Sequence, residues 1–383
     1  MRIAVSLGTL RIPPTYFAVQ HTERLTAADP QRFSVRTVAM AVEIADAAVR
    51  EGGLDIVEAA ALPGGSFRRR EVTMPLSIGR AARAISGFAP DVIHQHFATW
   101  SSPAVRAAEQ SGAPLIVTVH GADVFAALRP LSAVPVQGRP MLAWHHRSVR
   151  RAFEGARTVL AVSRFLAGQA IAAGADPARV DVHFQGIDTD FFTPEHTVEP
   201  EVPEVLFVGA FSTAKGVLDL VQASTDALPR AEHRLALVGR GPLHGALTAA
   251  AASAPHVDVV GSLDRLAVRD RIRRASVLVL PTQLHNGWRE AAGLVLLEAQ
   301  ACGVPVIAYD SGGAPEMLDD GQTGVVVPER DVPALARAIV DVLTLNSSER
   351  DRLRTAARRF VVEHRSLAAS AAELGERYAG LAR

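Results

Sequence analysis

The sequence predicts an α/β protein built from two doubly wound parallel-sheet domains, and three observations carry that prediction. Short β-branched runs alternate with helical patterns along the whole chain, as βαβ units and parallel sheets require. The series breaks at "DTDFFTPEHTVEPEVPE" (188–204), an acidic stretch with three prolines and no sustained period, and then restarts. Such a stretch reads as a linker. At 383 residues the chain also exceeds what one ordinary core accommodates.

In the first half, strands are expected at 2–8, 91–96, 114–120, 158–163 and 180–185, with helical stretches such as 101–111 and 163–173 between them. In the second half they are expected at 205–210, 234–239, 257–262, 276–282, 305–311 and 324–329. The last 35 residues are helical in pattern and rich in Arg, Glu and Ala. The expected domains are 1–192, a linker at 193–204, 205–362, and a C-terminal helix at 363–383 packing back toward the first domain. Open parallel sheets bind ligands beyond the carboxyl ends of their strands. With two such sheets, the expected site is the cleft between the domains.

Composition narrows the function. Hydrophobic residues make up 48% and charged residues 21%, an ordinary globular balance. Forty basic residues offset forty acidic ones, so nothing suggests a whole-protein attraction to nucleic acid. The single cysteine, Cys302, excludes an intrachain disulfide and reads as a small core residue. No Cys/His spacing suits structural zinc. The opening "MRIAVSLGTLRIPP" has too short an apolar run for a signal peptide, and no run of membrane-spanning length occurs. The expectation is a soluble, cytoplasmic protein.

Three strand ends in the second half carry the chemistry. "FVGAFSTAKGV" (207–217) ends a strand at Gly209 and sets Lys215 before a helix; "LVGRGPL" (237–243) and "DSGGAPEML" (310–318) end two more. Glycines let backbone N–H groups approach a ligand, and a helix N-terminus favours an anion. Together they suggest a phosphate or diphosphate site. The absence of a Walker A motif and of an opening G-x-G-x-x-G argues against a P-loop enzyme and a nicotinamide dehydrogenase.

Running into the third of these is "GWREAAGLVLLEAQACGVPVIAYDSGG" (287–313), with Glu290 and Glu298 eight positions apart. On one continuous helix their Cα atoms would lie about 12 Å apart along the axis. Glycosidase pairs need carboxyl groups about 5–9.5 Å apart, which makes that arrangement awkward. The alternative sets Glu290 on a loop and Glu298 in a helix, each touching a different part of one ligand.

This spacing resembles the E-x7-E signature of the retaining glycosyltransferases of family 4, which have the GT-B fold of two facing Rossmann-like domains. The likeness extends to "GVPVIAYDSGGAPEMLDDGQTGVVVPERD" (303–331), "VDVHFQGIDTDFF" (180–192), "LVGRGPL", "FVGAFSTAKG" and, in the first domain, "VTVHGADVF" (117–125). "LLEAQACG" with "VPERD" resembles the branch that builds bacterial exopolysaccharides of the colanic acid or amylovoran kind. The resemblance implies metal-independent transfer of a sugar from a nucleotide sugar, UDP-linked, to an acceptor hydroxyl with retention at the anomeric carbon. Glu298 would hold the ribose hydroxyls and Glu290 the hydroxyls of the donor sugar. Gly209 and the N–H groups of Gly293, Leu294 and Val295 would line the sugar and diphosphate. Lys215 would neutralise the departing diphosphate, and His120 would face the donor sugar from the first domain. His94 and His96 become supporting or acceptor-side candidates.

Two departures stand out. The family usually has Arg where this chain has Ala210, which leaves Arg240 or Arg289 to replace one diphosphate partner. "EAAG" stands where an aromatic-containing turn is common. "DTD" (188–190) matches a D-x-D metal motif of another fold but lies in the family's interdomain segment, so no catalytic metal and no cofactor is expected. The basic stretches 67–70 and 145–151 suggest either solvated helix faces or peripheral contact with the inner face of a membrane. The expected acceptor is a lipid-linked intermediate of exopolysaccharide or other surface-glycan assembly. The alternatives are a small natural-product acceptor and a catalytically weakened nucleotide-sugar-binding partner.

Overall fold

Strand β1 (Arg2–Ile12) and its neighbours form a seven-stranded, all-parallel sheet in the computed structural model, which describes residues 1–12, 15–45, 49, 54–195 and 201–382. The other strands are β2 (Ser34–Ile44), β3 (Ile56–Glu58), β4 (Val92–His96), β5 (Leu115–Val119), β6 (Thr158–Ala161) and β7 (Val180–Val182). Their order is β3-β2-β1-β4-β5-β6-β7. β2 went unread in the sequence for a physical reason. Its buried centre, Thr37–Ala41, ends in Ala39, Met40 and Ala41, which suit a helix as well as a strand, so "SVRTVAMAVEI" shows neither alternation nor a β-branched run.

The second sheet is also all parallel: β8 (Glu204–Val208), β9 (Arg234–Val238), β10 (Val257–Gly261), β11 (Val277–Leu280), β12 (Val306–Tyr309) and β13 (Gly324–Val327), in the order β10-β9-β8-β11-β12-β13. In both sheets the order reverses once, between β1 and β4 and between β8 and β11. Crevices at such switch points are where open α/β sheets take ligands.

The chain divides into two units, Met1–Gln185 with Leu367–Arg383, and Gly186–Ser366. Of the linker expected at 193–204, residues 196–200 lie outside the described residues. The helix Ser347–His364 belongs to the second unit and starts with a capping box between Asn346 and Glu349. The helix Leu367–Leu381 belongs to the first, where Ala371, Leu374 and Tyr378 pack into one cluster with Ile3, Val5, Leu25 and Phe33. Among the described residues no helix is long and apolar enough to cross a membrane. Cys302 is buried, and burial pushes its thiol up to about 12.

Candidate functional site

The second unit gathers its chemistry at the β8/β11 switch point. The chain leaving β8 turns through a short 3₁₀ segment, Thr213–Lys215, and enters the helix Val217–Ala227. The chain leaving β11 runs through Glu290 to Gly293, which opens the helix Leu294–Ala301. Lys215 Nζ and a carboxylate oxygen of Glu290 form an ion pair. Glu290 is 8% exposed, so this carboxylate has exchanged water for the ammonium. Two residues 75 positions apart in sequence thus meet where the sheet order reverses.

Each partner is held from behind. Gln283 donates its backbone N–H to Ala214 O at 2.9 Å and its side-chain amide to Thr213 O at 3.0 Å, fixing the turn that carries Lys215. Glu290 O accepts the N–H of Gly313 at 2.8 Å. That contact requires glycine beside it: Gly312 has φ +65°, and a Cβ there would lie 2.2 Å from Glu290 O. The double glycine after β12 therefore lets one loop close on another.

Glu290 lies in the loop and Glu298 in the helix. Gly293, at φ +83°, caps that helix, and the N–H groups of its first turn, including Leu294 and Val295, have no partner within the helix. Burial pushes the Glu298 carboxyl up to about 7, with Arg265 pulling the other way. Of the two arginines considered in place of Ala210, Arg289 is engaged with Glu329 at 3.1 Å. Arg240 is exposed at the end of β9, and its carbonyl accepts the N–H of Phe211 at 2.9 Å, beside Gly209 and Ala210.

His120 lies in the first unit, just beyond β5. Asp123 explains the shape of its turn: this buried carboxylate accepts the N–H groups of His120 (3.2 Å), Gly121 (3.0 Å) and Val124 (3.0 Å), and that of Ala98 (2.9 Å) beyond β4. Burial pushes the Asp123 carboxyl up while those donors pull it back. His120 Nε2 lies 3.0 Å from His96 Nδ1, and its Nδ1 lies 3.4 Å from the Gln185 amide nitrogen. Its ring stands beside Phe97 and Phe17, with centroids 4.5 and 4.9 Å away. Desolvation holds the imidazole well below its ordinary value, so it is neutral. His94 is interior, bonded to Tyr378 Oη at 2.5 Å and Thr118 Oγ1 at 2.7 Å.

Among the described residues no group of three or more His, Cys, Asp or Glu side chains is arranged to hold a metal. In "DTD", Asp188 Oδ1 accepts the N–H groups of Asp190 and Phe191, both at 3.1 Å, and so closes a local turn. In the basic stretches, Arg70 is tied to Glu58 at 2.7 Å and His146 Nε2 bonds to Ala126 O at 3.0 Å.

Comparison with known proteins assigns the chain to a family. Residues 18–191 match the family described as Glycosyltransferase Family 4, and residues 202–345 match Glycosyl transferases group 1. The chain belongs to the family 4 glycosyltransferases. A D-inositol 3-phosphate glycosyltransferase of Pseudarthrobacter chlorophenolicus is 31% identical over 62% of this chain and 58% of its own. A GDP-mannose-dependent alpha-(1-6)-phosphatidylinositol monomannoside mannosyltransferase of Mycolicibacterium smegmatis is 31% identical over 62% of this chain and 63% of its own. The chain thus spans less than two thirds of the length of these curated relatives. The crystal structure of Anabaena Alr3699/HepE in complex with UDP and glucose superposes with a TM-score of 0.78 at 16% identity, covering 99% of each chain. That likeness is one of fold, and the fold of this family 4 glycosyltransferase is GT-B.

Two residues of this family 4 glycosyltransferase went unread in its sequence. Gln283 carries no local signal, since its role depends on β11 lying beside β8. Trp288, whose ring centroid lies 5.2 Å from Lys215 Nζ, had one: it follows Asn286–Gly287, a strong hairpin-turn pair.

Proposed function

We propose that the chain transfers a sugar from a nucleoside diphosphate sugar to an acceptor hydroxyl, with donor binding in the second unit and acceptor binding in the first. The observation that carries this reading is the Lys215–Glu290 pair at the β8/β11 switch point. An ammonium there suits a diphosphate, and a neighbouring carboxylate suits sugar hydroxyls. In the ion pair each neutralises the other. Arrival of the diphosphate draws Lys215 away and leaves Glu290 to accept from the sugar.

Glu298 takes the ribose hydroxyls, and the first-turn N–H groups at Gly293, Leu294 and Val295 take phosphate or sugar oxygens, aided by the helix dipole. Arg240 supplies the charge that Ala210 does not. The reaction retains anomeric configuration and uses no metal. The bond from the anomeric carbon to the phosphate oxygen breaks as the acceptor oxygen attacks from the same face, and the departing phosphate oxygen takes the acceptor's proton. Charge develops on that leaving group, so Lys215 acts where it lowers the barrier. His120, neutral and engaged at both ring nitrogens, serves the first unit as a fixed hydrogen-bonding group and takes no proton.

The donor we propose is UDP-linked, supported by the UDP-bound structure of similar fold. The printed name of one relative favours a second reading, GDP-mannose. The acceptor we propose is a surface-glycan intermediate such as an exopolysaccharide precursor, met by a cytoplasmic protein in peripheral contact with a membrane. Thermal shift with UDP, GDP, ADP and their sugars, with and without EDTA, tests the donor site, because a ligand of the native state raises its stability. A shift with one nucleotide that survives EDTA supports the reading. No shift with any nucleotide, or donor turnover unaltered in Glu290→Ala, refutes it.

A further inference from the structure

The loop after β11 contains a small rigid device that the transfer chemistry above does not use. Asn286 and Gly287 both have left-handed backbone, at φ 52° and 78°, as a two-residue type I′ hairpin turn requires. His285 and Trp288 exchange both backbone hydrogen bonds across it, at 3.1 and 2.9 Å. The base of the hairpin is fastened to the loop after β13. Leu284 N–H donates to Glu329 Oε1 at 2.6 Å, Arg330 donates to Leu284 O at 2.7 Å, and Arg289 pairs with Glu329 at 3.1 Å. Three contacts and a closed turn therefore hold the half-buried Trp288 indole in one place. That place is the donor site: Lys215 Nζ lies 5.2 Å from the ring centroid and is the same atom that pairs with Glu290.

We propose that Trp288 is the aromatic platform on which the donor's sugar ring packs, and so a specificity-determining residue of the donor site; this rests on the donor reading above. A pyranose presents a face of C–H bonds that is apolar and slightly electropositive. An indole presents a face that is apolar and negative. Glu290 beside it accepts hydroxyls from the sugar's polar edge, and Lys215 takes the phosphate attached to the anomeric carbon. The three side chains thus offer one group for each of the three surfaces of a phosphorylated sugar. Sugar sites combine an apolar wall with a few placed polar groups in this way. The ring also contacts the Lys215 ammonium, which is a role in positioning, and the test must separate the two.

The test is equilibrium binding of UDP, UDP-glucose, GDP and GDP-mannose to the wild type, Trp288→Ala, Trp288→Leu and Trp288→Phe. Trp288→Leu keeps apolar bulk and removes the aromatic face, so the test does not depend on how well the alanine variant folds. With the nucleotide that binds the wild type, the Ala and Leu variants should lose about three- to tenfold more affinity for the nucleotide sugar than for the free diphosphate, and Trp288→Phe should recover most of it. Equal losses for sugar and free diphosphate would assign Trp288 to holding Lys215 and overturn the proposal, as would no loss in any variant. A wild type that binds none of the four overturns the donor reading and this inference with it.

Discussion

Glu298→Gln tests the electrostatics of the site without any substrate. Burial moves this carboxyl from its ordinary 4.5 to about 7. Between those values the folded chain holds a proton that the unfolded chain has released, so the unfolded state binds fewer protons and stability falls as pH rises through the window. At about 1.4 kcal/mol for each pH unit, the full displacement costs the fold at most about 3.5 kcal/mol above neutrality. The side chain keeps part of its surface in water, which reduces the expected figure to about 1–2 kcal/mol. Glutamine has the same shape and no charge to desolvate. Urea unfolding of both proteins should therefore show the variant more stable at about pH 8 and equal only below about pH 4, where the carboxyl is neutral in the folded and the unfolded wild type alike. Contributions from the histidines are common to both proteins and cancel. A difference of the same size at both pH values would refute the reasoning. The same titration governs function: if the ionised carboxylate accepts the ribose hydroxyls, wild-type nucleotide affinity should rise through about pH 7 and that of the variant should not.

Burial holds His21 and His96 down to about 3, so the fold refuses protons that the unfolded chain takes below 6.5. The stability this gives is complete above that value and lost as pH falls toward 3, by about 1.4 kcal/mol per pH unit for each histidine; urea midpoints at descending pH will read it. Asp123→Ala strips the acceptor from four backbone N–H groups and should cost about 2–3 kcal/mol by thermal denaturation. Gly312→Ala forces a Cβ against Glu290 O, and should lower donor turnover about tenfold or more while the circular dichroism spectrum stays native. In a double-mutant cycle on stability, Lys215→Ala and Glu290→Gln should be non-additive by about 1–3 kcal/mol, since each removes the other's partner.

Much of the fold was legible in the sequence because parallel strands appear as short apolar, β-branched runs, and eleven such runs correspond to strands, the half-exposed edge strands β7 and β10 included. Their ends were less so. The stretch 276–282 yields a strand only at Val277–Leu280, because Pro281 is as apolar as the strand but cannot continue its ladder. β2 escaped because alanine and methionine at Ala39–Ala41 suit a helix equally well. At the site, Lys215, Glu290 and Glu298 could be picked out one by one, yet their contacts depend on sheet order, which no local pattern encodes. The His96–His120 pair is of the same kind: it follows from β4 lying beside β5 with His96 opposite Thr118. The Gly312 contact with Glu290 likewise joins loops from β11 and β12.

The helix Leu367–Leu381 has a consequence for biogenesis. Because it belongs to the first unit, the second unit is an uninterrupted segment inserted between the two parts of the first. Domains generally fold as units when their last residues emerge from the ribosome. Here the second unit has its full sequence outside the ribosome first, and the first unit waits for Tyr378 to reach His94, 284 residues after that histidine was made. A fragment ending at Gln185 would lack part of its own core, whereas 186–366 is a continuous piece suited to separate expression. A chain cut just before Leu367 would keep the whole of the second unit and lose part of the core of the first.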